Sequence, residues 1–122
     1  MAANPGSRSA TKPRFLEDEA FRALRNGDLE EFHRLVATRD EVDFSDSDLR
    51  GVDFRGVDLR KVILRGSYLR DADLRGIDLS AHDLTACSLS HAKVSGTLFS
   101  NDLAPEEIRL SLEHGTRLRS CK

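Results

Sequence analysis

From Val42 to Asn101 the chain repeats every five residues. Written in fives it reads VDFSD SDLRG VDFRG VDLRK VILRG SYLRD ADLRG IDLSA HDLTA CSLSH AKVSG TLFSN, twelve units without an insertion. Each is centred on Leu, Phe or Val, from Phe44 and Leu49 at one end to Val94 and Phe99 at the other. Small or β-branched residues dominate two places earlier, and Asp fills the slot between in seven of the twelve. A period of five fits neither a helix at about 3.6 nor a long strand at about two, so each unit must be a short strand plus a turn.

Residues two apart on a strand share a face, so Val42 and Phe44 point inward while Asp43 and Ser45 point out. Over about half the chain the pattern resembles the pentapeptide-repeat family: a small residue, Asp or Asn, Leu or Phe, a polar residue, then a variable one. That resemblance implies a mainly β fold, a right-handed quadrilateral β-helix with one unit per side and four per coil. Twelve units then make three coils. Stack neighbours lie twenty residues apart, in columns such as Phe44–Leu64–Leu84 and Leu49–Leu69–Leu89, which places Leu69 among the most buried residues. Such a stack has apolar ends with unpaired strand edges, so it requires caps.

The flanks supply candidates. Residues 1–14 are rich in Pro, Ser and Ala, carry Arg8, Lys12 and Arg14 and no acid, and read as a disordered tail. Residues 15–40 read as a helical hairpin, the N-terminal cap. Phe15, Leu16, Ala20, Ala23 and Leu24 mark one helix ended by Asn26-Gly27, and Asp28 with Glu31 signals a capping box for the next. The alternative for the hairpin is a docking surface. Residues 104–119 read as a C-terminal capping helix with Pro105 at its start and Gly115 suited to its stop. In some pentapeptide-repeat relatives a C-terminal helical segment makes a homodimer, so both monomer and homodimer are open.

Composition bounds the function. With 122 residues and a net charge of −2 the chain suits one small domain, and the near-neutral balance argues against direct nucleic-acid binding. No apolar run is long enough to span a membrane, no secretory signal is present, and two cysteines make no disulfide framework; a cytoplasmic setting is the expectation. Cys87 falls at an inward repeat position, Cys121 in the tail. Cys87 and His91 do not face together on a coil as zinc ligands would, and no nucleophile elbow or phosphate-binding loop occurs. The chain therefore reads as no enzyme, with no cofactor and no metal. His82 stands where a small residue is usual, which suggests a distorted or half-exposed coil corner.

The outward residues point to a protein partner. Asp and Arg recur two apart, as in Asp48–Arg50 and Asp53–Arg55, and form a mutually neutralising surface. Ile63 and Tyr68 break the Asp rule on adjacent sides of the middle coil. Apolar residues on a polar solenoid suggest an interface, with Arg50, Arg65 and Arg70 as its rim. The competing expectation is that the N-terminal hairpin folds over this corner. Leu98 breaks the rule too, where the C-terminal helix could cover it. The function read is a non-catalytic protein–protein interaction module. The alternative, drawn from the resemblance, is a DNA mimic that binds gyrase or topoisomerase, although a net charge of −1 over 42–101 and three coils fit it poorly.

Overall fold

A computed structural model gives the structure of residues 17–121. The tail assigned to 1–14, with Phe15 and Leu16 of the expected first helix, lies outside the described residues. Helix α1 (Glu19–Arg25) begins where the Asp18 carboxylate accepts the Ala20 and Phe21 N–H groups at 2.7 and 3.3 Å. It ends in a Schellman motif: Gly27, at φ 77°, donates to Leu24 O at 3.1 Å and Asp28 N–H to Ala23 O at 2.9 Å. Helix α2 (Leu29–Val36) starts on Asp28, whose carboxylate accepts the Glu31 N–H at 3.1 Å. Only half of the expected capping box forms, because the Glu31 carboxylate pairs instead with Arg34 at 2.7 Å. The two helices bury Phe21 and Phe32 and set both rings on Phe44, with centroids 5.4 and 6.4 Å away.

The repeats pair at an offset of twenty residues. Strand β1 (Val42–Asp43) runs parallel to β2 (Val62–Ile63), and β3 (Asp78–Leu79) to β4 (Leu98–Phe99). Single parallel bridges join Asp48, Tyr68 and Ser88, and likewise Asp53, Asp73 and Lys93. Central residues donate forward, as Leu69 N–H does to Ser88 O at 2.8 Å, while the preceding residues donate back, as Tyr68 N–H does to Ser47 O at 2.9 Å. Within each coil a tight turn joins consecutive units; Ala72 N–H, for example, bonds Leu69 O at 3.0 Å. The last residue of most units has positive φ, which favours glycine. Gly66 shows a second reason: a Cβ there would sit 2.1 Å from the Asp46 carboxylate.

The ladder has one gap. Among the described residues no bridge joins 58 to 78 or 63 to 83, and Lys61 and Ala81 lack the positive φ found at other turns. His82 sits there, half-buried, with Nε2 2.8 Å from Leu59 O and with Nδ1 buried and unpartnered. An imidazole thus stands half-exposed in a slot where a small side chain is usual, at the place where the bridges are missing.

Inside, Leu49, Leu69 and Leu89 are fully buried in one column, whereas Val94 and Phe99 are only half-buried. Helix α3 (Pro105–His114) packs Ile108 and Leu112 against the core and ends at Gly115, at φ 72°. It is shorter than the 104–119 expected, because after the glycine the chain turns back and Arg117 bridges antiparallel to Ser88, burying Leu118. Among the described residues no helix is long and apolar enough to cross a membrane.

Leu69→Ala is expected to cost about 2–5 kcal/mol, since the stack on both sides prevents collapse around the void. Thermal melts by circular dichroism check it. An unchanged melting temperature contradicts the buried column.

Candidate interaction surface

The outward carboxylates are occupied by their own turns. Each accepts the N–H two residues ahead: Asp43 from Ser45 at 2.9 Å, Asp48 from Arg50 at 3.1 Å, Asp58 from Arg60 at 3.1 Å, Asp83 from Thr85 at 3.0 Å. The same bond recurs at Asp53, Asp73 and Asp78. This is the Asx turn, in which a short carboxylate stands in for a backbone acceptor. Arg50, Arg55, Arg60 and Arg75 then fold back on the same carboxylates at 2.7–2.9 Å, and Arg55 also reaches Asp73 at 3.3 Å. The repeat position of Asp thus has a structural reason that the Asp–Arg spacing alone did not reveal.

The expected corner is partly taken by the chain itself. Tyr68 is half-buried; its hydroxyl accepts from the Arg117 guanidinium, which lies 4.9 Å from its ring centroid and also donates to Ala86 O at 3.0 Å. The C-terminal segment holds this ring, not the N-terminal hairpin. Nothing in the repeat pattern marks Arg117, because it lies beyond the repeats. Arg50, Arg65 and Arg70, expected as its rim, are each paired with an acid: Asp48 at 2.8 Å, Asp83 at 3.0 Å and Asp71 at 3.6 Å. Ile63 is half-buried and, with Arg60, Ala81 and His82, lines a depression of about 220 Å³ at the ladder gap. Leu98 corrects its expectation. Helix α3 does not cover it, and it stands 57% exposed.

The remaining candidates are plain. Cys87 is buried, donates to Leu64 O at 2.9 Å, and burial pushes its thiol up to about 11, so it is inert packing. Cys121 is exposed. Among the described residues no cluster of His, Cys, Asp and Glu could hold a metal ion.

A family model for pentapeptide repeats matches residues 40–66 and 63–101, in eight copies. The chain belongs to the pentapeptide-repeat family. One solved structure it is similar to is a pentapeptide repeat protein from the Arabidopsis thaliana thylakoid lumen, 22% identical over 66% of this chain and 86% of that one. Its TM-score of 0.25 is too low to bear on this fold. No curated protein matches the sequence.

The Asx turns of this pentapeptide-repeat protein are expected to make its stability fall in acid. Hydrogen bonds from Arg50, Arg55, Arg60 and Arg75 hold Asp48, Asp53, Asp58 and Asp73 below the usual carboxylate range, Asp58 at about 2. Bonds to Ser80 and Thr85 do the same for Asp78 and Asp83. A carboxylate depressed by folding stabilises above its unfolded pKa of about 3.9, and that contribution is lost as pH falls through the folded value. The melting temperature is expected to decline steadily from about pH 5 to about pH 2. A flat profile across that window, followed by thermal scans, contradicts the turn-binding role.

Proposed function

We propose that this chain is a non-catalytic protein-interaction module on a right-handed quadrilateral β-helix of three coils. Residues 17–40 and 104–119 act as its end caps. The observation that supports it best is Leu98. It occupies the outward slot that Asp58 and Asp78 fill in the other coils, and it is 57% exposed on a strand held rigidly by its neighbour. An exposed apolar side chain in a column of charges, with Val94 and Phe99 half-buried beside it, suits a partner. Ile63, in its depression beside His82, is the accessible part of the second break. Tyr68 contributes its exposed edge, with Arg50, Arg65 and Arg70 around it as charged groups already paired. A duplex mimic that binds gyrase or topoisomerase draws no support from this surface, where the Asp carboxylates are matched by Arg rather than presented as an acidic rod.

Leu98→Asp restores the consensus of its column, so the fold is expected to tolerate it within about 0.5 kcal/mol. Quantitative affinity capture with wild type, Leu98→Asp and Ile63→Asp should show a partner whose recovery drops in at least one variant while the melting temperature stays put. Equal recovery of every bound protein by all three would overturn the proposal.

A further inference from the structure

The outer edges of the hydrogen-bond ladder are met only in part at each end. Below the first coil, Arg25 donates to Asp48 O and Arg50 O at 2.9 and 3.2 Å, and His33 Nε2 accepts the Asp58 N–H at 3.0 Å. Above the third coil the C-terminal segment serves 86–91 in the same way. Ala86 N–H reaches Leu118 O at 2.8 Å, Leu89 N–H the Ser111 hydroxyl at 2.8 Å, and His91 N–H Leu112 O at 2.9 Å. Beyond His91 this stops. In the coil below, Leu74 N–H and Gly76 N–H bond Lys93 O and Ser95 O at 2.8 and 2.9 Å, and Ala72 O accepts from Lys93 N–H at 2.9 Å. Their counterparts one coil up, the Val94 and Gly96 N–H groups and Ala92 O, have no partner among the described residues. Val94 and Phe99 beside them are half-buried, and Leu98 flanks them.

Charge changes at the same place. From Ser88 to Asn101 there is no acid, and the column Asp53–Asp73 ends in Lys93, which is exposed and has no ion-pair partner among the described residues. We propose that the open edge at Ala92–Gly96, continuing to Leu98, is a docking site for an extended acidic segment of a partner protein. The segment adds as a parallel strand and sets its carboxylate over Lys93. The inference rests on the interaction-module reading and gives it a specific occupant. The ladder dictates the register. The residue over Lys93 donates its N–H to Ala92 O and accepts from Val94 N–H, and the residue two places on accepts from Gly96 N–H. The residues before and after the acid point inward, the second of them onto Val94. A segment reading small–acid–apolar therefore satisfies backbone, charge and core together. A second copy fits worse, since two such edges meeting about a two-fold axis bring Lys93 towards Lys93 with no acid between Ser88 and Asn101 to meet it.

The probe is the peptide ADLRGIDLS, identical to residues 72–80, which already lies under 92–100 in the fold. Titrated into the full chain and followed by amide NMR and fluorescence anisotropy, it should bind saturably and shift the Val94 and Gly96 resonances. Lys93→Glu should weaken binding about fivefold or more, and a peptide with its first aspartate replaced by lysine should recover it. Methylating the amide nitrogen of that aspartate should abolish binding without touching the protein. The proposal is overturned if no saturable binding occurs, if Lys93→Glu changes nothing, or if sedimentation shows the free chain dimerising with the Val94 and Gly96 amides protected. Partner capture that still depends on Leu98 while the peptide fails would sink this site and leave the interaction module standing.

Discussion

The backbone ladder between residues twenty apart is the constraint on which everything else depends. A parallel strand pair exposes donors and acceptors on both outer edges, and leaving them unmet in a desolvated place is costly. Beside residues 42–61 the partners come from the helices: Arg25 and His33 meet backbone groups of Asp48 and Asp58. Lys61 reaches back to Val36 O at the end of α2, 3.3 Å away, and to Arg39 O beyond it at 2.8 Å. Above the third coil the partners come from the reversed chain after Gly115, with the buried Ser111 hydroxyl bridging Leu89 N–H and Thr116 O. The C-terminal segment serves residues 86–91, and Ala92–Gly96 are left without such partners among the described residues. That open stretch gives this small fold a distinctive surface.

The outward chemistry follows from the same constraint. A turn every five residues leaves N–H groups that need acceptors, and Asp provides them locally at seven units. Arginines then pair with five of these acids, Asp48, Asp53, Asp58, Asp73 and Asp83. The turns leave this surface regular except where the grammar breaks, at Leu98, at Ile63 beside the His82 gap, and at Lys93, and these are the places the proposed interaction reading uses.

The period of five made the twenty-residue register, the buried Leu69 column and the helical flanks legible, because burial and turn chemistry are written residue by residue. The wedge at His82 was legible too, as an oversized side chain in a small slot. Arg117 on Tyr68 was not, since a contact across 49 residues from a non-repeating tail leaves no periodic trace. The exposure of Leu98 was missed for a related reason: whether a ten-residue helix covers one half of a coil or the other depends on where the chain turns after Gly115. The Asx turns had a signal, Asp followed two places later by any polar residue, but the Asp–Arg pairing was the louder feature.

Amide hydrogen exchange on the free chain tests the account most directly, because it reads each rung of the ladder separately. Leu74 and Gly76, bonded to the coil above, and Leu89 and His91, bonded to the C-terminal segment, should be protected to a similar degree. Val94 and Gly96, in equivalent positions one coil up, should exchange close to the rate of an unstructured chain. Strong protection at Val94 and Gly96 in the monomer would contradict it, since the third coil would then be closed along its whole length.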